Sequence, residues 1–176
     1  MPDDFADLVR GHQGLVFRTL TRLVGRDDVE DLAQEVFLRL HRALPQFGQR
    51  SRLSTYLYRI VVNVAQDAWA RRRRPDHAAS SLTPPSEGWE ERLVDRSPSP
   101  LALIERRELL AAVDAALGGL SAPERAALVL FHQEERSYEE IAAVLDLPVG
   151  TVRTHLHRGR ARLARLVRER MRIDDV

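Results

Sequence analysis

The sequence predicts an all-α protein: two small helical bundles joined by a flexible, acidic linker rich in proline and serine. Three observations predict it. Apolar residues recur at helical spacing in both halves, and no Val/Ile/Thr run alternates between Asn-Gly or Asp-Gly turns as a strand would. Helix start and stop signals crowd the second half. From Pro75 to Pro100 the chain turns to Pro and Ser, with Trp89 and Leu93 as its only strong apolar anchors. The predicted boundaries are 1–75 for the first bundle, 76–100 for the linker and 101–176 for the second bundle.

The elements follow in order. Phe5, Leu8, Val9, Val16, Leu20 and Val24 form one helical stripe. Asp27 or Asp28 is placed to cap a second helix, which carries Leu32, Val36 and Leu40 on one side. A loop from Leu44 to Ser51 leads to a long third helix from about Leu53 to Arg73, stopped by Pro75. After the linker, Ser99-Pro100 opens a helix that Gly118-Gly119 closes. Ser121-Ala122-Pro123-Glu124 and Ser137-Tyr138-Glu139-Glu140 are capping boxes that open two more. Leu147-Pro148-Val149-Gly150 turns the chain into a last helix from about Thr151 to Arg170.

Composition narrows the function classes. The 176 residues include no cysteine, which excludes a disulfide scaffold, a thiol nucleophile and a thiolate zinc site. No apolar run approaches the ~18–20 residues that span a bilayer, and the acidic start Met1-Pro2-Asp3-Asp4 lacks a signal-peptide core. A cytoplasmic protein with no membrane contact of its own is expected. Net charge is only +1, but it is segregated. Residues 50–74 hold seven Arg against one acid, Asp67, and residues 153–172 hold eight Arg against Glu169. The stretch between them, 76–100, is acidic. Two basic blocks point to two contacts with a polyanion. All 27 basic residues are Arg, a usage that fits high-GC codon bias first and a choice of bidentate phosphate donors second.

Residues 137–168 have the layout of a DNA-reading helix-turn-helix. The first helix is apolar through Ile141, Ala142 and Leu145, and small Ala142 and Ala143 suit a close approach. The second points Val152, Leu156 and Leu163 inward and leaves Arg153, Thr154, His155, His157, Arg158 and Arg160 outward or on its flanks. A recognition helix reads base edges near its N-terminus and touches phosphates along its flanks. Arg pairs bidentately with guanine, and Thr reaches a base or a thymine methyl. The rival reading of these residues is a solvated Arg-rich helix on an ordinary bundle. His155 and His157, two residues apart, do not share a helix face, so no metal site is expected. No cofactor is expected either.

With these residues in view, the chain resembles the extracytoplasmic-function (ECF) sigma factors of bacterial RNA polymerase. Tyr138-Glu139-Glu140-Ile141-Ala142 with Leu147 to Arg153 resembles sigma region 4.2, and Leu120 to Arg125 resembles region 4.1. Glu30 to Phe37 resembles region 2.2, and Ser54 to Asn63 resembles the region 2.3–2.4 helix. Both bundles match in the family's order.

The resemblance implies the following. Asp31, Gln34, Glu35 and Phe37 would grip the β′ clamp coiled coil of core RNA polymerase; the first three share one helix face by spacing. The C-terminal bundle would sit on the β flap. Phe47, Gly48, Gln49, Arg50 and Ser51 would form a loop that, with Tyr56, Arg59, Asn63 and Asp67 on the third helix, takes the single-stranded −10 element and a flipped base. An amide reads a base edge, aromatic rings stack, and Arg neutralises phosphate. Tyr56 stands where the family usually has Trp; it either stacks on DNA or belongs to the core. Arg71, Arg72 and Arg73 would contact the adjoining duplex. Thr151, Arg153, Thr154, His155, His157 and Arg158 would contact the −35 element, although Thr154-His155 replaces the family's commoner Ser-Arg pair. Boxes about 16–17 base pairs apart lie roughly 55 Å apart at ~3.4 Å per step, within reach of a stretched linker. An anti-sigma factor is the expected regulatory partner.

Two rival functions differ in what they require. A stand-alone transcriptional regulator would bind its site tightly without polymerase. A nucleic-acid enzyme would need a clustered acid pair, a metal motif, a P-loop or a Ser-His-Asp pattern, and none can be placed.

Overall fold

A computed structural model of the chain describes residues 2–26, 28–47, 52–72 and 100–173. Among them are seven α-helices and no strand: α1 (Pro2–Val24), α2 (Val29–Ala43), α3 (Leu53–Arg72), α4 (Pro100–Gly118), α5 (Ala122–His132), α6 (Tyr138–Leu145) and α7 (Val149–Ile173). A single 3-10 turn, Leu44–Gln46, follows α2. The expected all-α class with an N-terminal and a C-terminal bundle is the architecture found. The predicted linker, apart from Pro100, lies outside the described residues, as do Asp27, Gly48, Gln49, Arg50, Ser51 and Arg73.

In the first bundle α1, α2 and α3 pack on one another. Val16 and Leu20 of α1, Val36 and Leu40 of α2, and Leu57, Val61 and Val64 of α3 are fully buried. Each such side chain contributes roughly 1.5–3 kcal/mol. Helix α1 ends where Gly25 turns left-handed at φ 86° and its N–H bonds the Thr21 carbonyl. Asp28 does stand at the start of α2, but not as a side-chain cap. Its φ is 64°, only its carbonyl accepts from Leu32 N–H, and its carboxylate turns to Arg72 at 3.2 Å. A left-handed backbone points the carboxylate away from the first-turn amides, and Asp tolerates that conformation better than most residues.

In the second bundle α5 is central, buried from Glu124 to Leu130, with α6 and α7 against it and α4 against α7. Both capping boxes are present. Ser121 N–H donates to Glu124 Oε2 at 3.0 Å, Ser137 N–H donates to Glu140 Oε2 at 2.9 Å, and Glu140 N–H returns to Ser137 Oγ at 3.1 Å. Hydrogen bonds from Ser137 hold the Glu140 carboxyl below its ordinary range against a smaller effect of burial.

Two local expectations need correction. The turn between α6 and α7 is Asp146 to Pro148, and Gly150 lies inside the first turn of α7. Asp146, at φ 56°, takes the left-handed position usually given to glycine, and Pro148 accepts from both Thr151 and Val152 N–H, so the helix starts early. Ala143 is exposed and permits no close approach. A tight point lies instead at Gly159 on α7, where an added Cβ would lie 3.1 Å from Leu128 Cδ1 and 3.4 Å from Glu124 Cβ.

The bundles were expected as separate modules, but in the described chain they touch. Helix α3 packs on α6 and α5 as well as on α1 and α2. That explains why Tyr58, Val62, Ala65 and Ala68 are buried in addition to the residues facing α1 and α2: a helix covered on several sides is apolar nearly all round.

Candidate nucleic-acid interface

Three polar surfaces arise from these helices. The first is the N-terminal half of α7. Val152 and Leu156 are buried at 0 % and 1 %, which fixes the helix against α5 and α6 and turns Arg153, Thr154, His157 and Arg158 outward. Thr151 and His155 are half-buried on the flanks. The Arg153 guanidinium lies 5.6 Å from the Tyr138 ring centroid, a contact that steadies a long side chain without consuming its donors. Thr154 Oγ1 donates to the Gly150 carbonyl at 3.0 Å, leaving its methyl and lone pairs outward. Arg158 and His157 have no ion pair or hydrogen bond among the described residues and face solvent. One turn on, Arg160 Nε donates to His132 Nε2 at 3.1 Å and its guanidinium lies over Phe131. Burial and the neighbouring Arg160 charge lower the His132 pKa, so the ring stays neutral and accepts.

The second surface is one strip of α3. Arg59, Asn63 and Asp67 share one face and are exposed, and Arg71 continues the strip. Tyr56 is half-buried against the core and tilted on Phe47, ring centroids 5.1 Å apart, so its ring serves both neighbours. Arg72 has intramolecular partners instead of a free end: Nη1 donates to the Val24 carbonyl at 2.8 Å, and Nη2 reaches Asp28 at 3.2 Å.

The third surface is the outer face of α2. Asp31 and Gln34 are exposed and Glu35 is half-buried. Phe37 turns inward and packs on the core. Leu38, 51 % exposed, takes the outer place; it is one turn beyond Gln34, a signal the spacing rule offered and the sequence analysis passed over. Arg39 was passed over too. Its Nε donates to Glu35 Oε1 at 2.7 Å and its Nη2 to Asp67 Oδ2 at 2.9 Å. It therefore ties α2 to the α3 strip and offsets a carboxylate that would otherwise repel phosphate. Asp31, Leu32, Glu35, Arg39, Asp67 and Arg71 line one continuous groove, so the second and third surfaces adjoin.

Residues 8–75 match the family model "Sigma-70 region 2", and residues 110–163 match "Sigma-70, region 4". The ECF RNA polymerase sigma factor SigW of Bacillus subtilis (strain 168) is 31 % identical over 170 residues, covering 95 % of this chain and 90 % of SigW. The chain belongs to the ECF sigma-factor family. The ECF RNA polymerase sigma-E factor of Escherichia coli (strain K12) is 35 % identical over 154 residues, covering 87 % of this sigma factor and 81 % of its own length. Among solved structures, CnrH in complex with the cytosolic domain of CnrY aligns with a TM-score of 0.67 at 26 % identity, covering 96 % of this chain and 90 % of that one. The sigma factor RpoE of Bartonella quintana, solved with the anti-sigma factor NepR, shares the fold at a TM-score of 0.70 and 23 % identity, covering 94 % and 97 % of the two chains. The present protein is therefore a DNA-binding transcription-initiation factor, and the stand-alone regulator is the less supported reading. No helix of the described residues is long and apolar enough to cross a membrane.

Proposed function

We propose that this sigma factor docks core RNA polymerase through the α2 face, reads a −35 duplex with α7 and captures an unpaired −10 base on the α3 strip. Residues 1–75 carry the polymerase and −10 functions, and 101–176 carry the −35 function. Asp31, Gln34, Glu35 and Leu38 form the β′-facing surface, with Phe37 supporting it from inside. Arg153 and Arg158 are the principal −35 contacts, flanked by Thr151, Thr154, His155 and His157. Asn63 reads the flipped base, Phe47 and Tyr56 stack beside it, and Arg59 and Arg71 take phosphate. Arg72 acts chiefly by holding the end of α1. Gln49, Arg50, Ser51 and Arg73 complete the −10 surface by position in the sequence.

The observation that carries the reading is the exposed α3 strip of Arg59, Asn63, Asp67 and Arg71, whose Asp67 and Arg71 line one groove with Asp31 and Glu35 of the acidic α2 face, in a chain that also presents Arg153 and Arg158 on a separate helix. Unpairing a base costs a few kcal/mol, which an amide and two rings offset only when the strand is held in place. Docking supplies that placement. Bond-making belongs to the polymerase in this reading, and the sigma factor is not an enzyme. It works in the cytoplasm, where the transcription machinery lies, and an anti-sigma factor is its restraining partner, as in the complexes formed by chains of this fold.

Reconstitution with core polymerase, followed by run-off transcription over a genomic promoter library, tests the reading. It expects discrete transcripts sharing two boxes. Transcripts no different from those of core enzyme alone would contradict it.

A further inference from the structure

Glu134 carries a charge that none of the three surfaces uses. It follows the end of α5, and its side chain is 2 % exposed. All its side-chain partners come from the N-terminal bundle. Oε1 accepts from Arg18 Nε at 3.1 Å and Arg22 Nη1 at 2.8 Å; Oε2 accepts from Arg18 Nη2 at 2.8 Å and Tyr58 OH at 2.7 Å. Four donors fill the carboxylate. Two further contacts flank it. Arg125 of α5 lies over Trp69 of α3 and donates to the Leu23 carbonyl of α1 at 3.3 Å. Asp146, at the end of α6, pairs with Arg59 at 3.1 Å.

We propose that Glu134 is the bolt of an intramolecular closed state, in which the C-terminal bundle folds back on the N-terminal one and draws Arg59 off the −10 strip. Two features favour a reversible device over a permanent interface. Three of the four donors to Glu134 are guanidinium groups that water solvates as soon as the bundles part, so opening strands no unpaired charge in a core and costs chiefly the apolar contact of α3 with α5 and α6. Arg18 keeps 48 % of its side chain in solvent, so salt and competing charges reach the contact from that side although the carboxylate itself is buried. Two boxes roughly 55 Å apart call for separated bundles, so docking on polymerase must draw the bolt. This last step rests on the promoter reading; the closed state itself does not.

The full chain is free of cysteine, so Gln13→Cys and Leu109→Cys, both exposed and one in each bundle, accept a donor and an acceptor dye. The wild-type pair is expected to show high energy transfer at low salt that falls as NaCl rises. Glu134→Gln, nearly isosteric, is expected to move the open-to-closed ratio at low salt by at least about tenfold toward open. The pair Arg18→Gln/Arg22→Gln removes the same contact from the other side and should do likewise; far-UV circular dichroism confirms that each variant is folded. High transfer in these folded variants equal to wild type, or low wild-type transfer at every salt concentration, would overturn the bolt. Adding core polymerase should collapse wild-type transfer. If the variants open but polymerase leaves the wild type closed, the bolt stands and the docking step is wrong.

Discussion

Arg125 lies flat on the indole of Trp69, its Cζ 3.5 Å from the ring centroid, and the two residues belong to different bundles. Arg125 is 2 % exposed, yet its guanidinium is well satisfied. Nε donates to the Leu117 carbonyl at 2.8 Å and Nη2 to the Leu120 carbonyl at 3.1 Å, so the cation sits at the end of α4 where the helix dipole is negative. Trp69 Nε1 meanwhile donates to Leu23 at 3.0 Å. Arg125→Met keeps the bulk and leaves these carbonyls short of donors. A loss of about 2–4 kcal/mol is expected in urea unfolding. Arg125→Lys, which lacks the planar fork, should recover less than half of it.

Asp114 on α4 is partly buried, and its Oδ2 has no hydrogen-bond partner among the described residues. Burial pushes its pKa from 3.8 up to about 6. The folded state thus favours the protonated acid. Its contribution is complete below the ordinary aspartate range and is lost as pH rises through about 6. At pH 7.5, Asp114→Asn is expected to be roughly 1–3 kcal/mol more stable than wild type. The advantage should vanish at pH 4. Thermal unfolding at the two pH values checks the sign, and an advantage that grew on acidification would contradict it.

Glycines separate open helix surface from tight packing. Gly14 lies within α1 with nothing within 4 Å of an added Cβ, so Gly14→Ala should gain about 0.5–1 kcal/mol. At Gly159 the same methyl presses on Leu128, and the gain in helix propensity is offset. Gly159→Val, with two more carbons against a buried Leu, should cost about 1–3 kcal/mol and tilt α7. Denaturation midpoints report both effects, and −35 affinity of the holoenzyme reports the tilt of α7.

The two DNA surfaces should fail at different steps. Arg153→Ala is expected to lose duplex −35 binding by the holoenzyme, at a cost of about 1–3 kcal/mol. Asn63→Ala should still bind −35 but leave the −10 thymines closed to permanganate. Normal permanganate reactivity in the Asn63 variant would refute the pocket assignment.

What could be read from the sequence was local. Ser121 with Glu124, and Ser137 with Glu140, announce their helices because a cap and its acid lie three residues apart. Asn63 was placed on the −10 strip by the family resemblance, and helical spacing puts it on one face with Arg59 and Asp67. What escaped was long-range or conformational. The burial of Glu134 and Arg125 has no local signal, because it depends in part on a second bundle that no nearby residue foretells. Asp28 looked like a cap because composition carries no φ angle. Ala142 and Ala143 suit a close approach by size and by lying near the turn, but Ala143 is exposed, and the tight contact at Gly159 depends on where α5 crosses α7. Arg72, expected with Arg71 and Arg73 to contact the adjoining duplex, holds the Val24 carbonyl.

The most direct measurement compares one promoter fragment with the chain alone, with core polymerase alone, and with both, scored by sequence-specific retention and permanganate reactivity in the −10 box. Specific retention and opening only in the mixture is the predicted result. Tight, selective binding by the chain alone, unchanged when polymerase is added, would contradict the claim that promoter recognition arises on the docked enzyme.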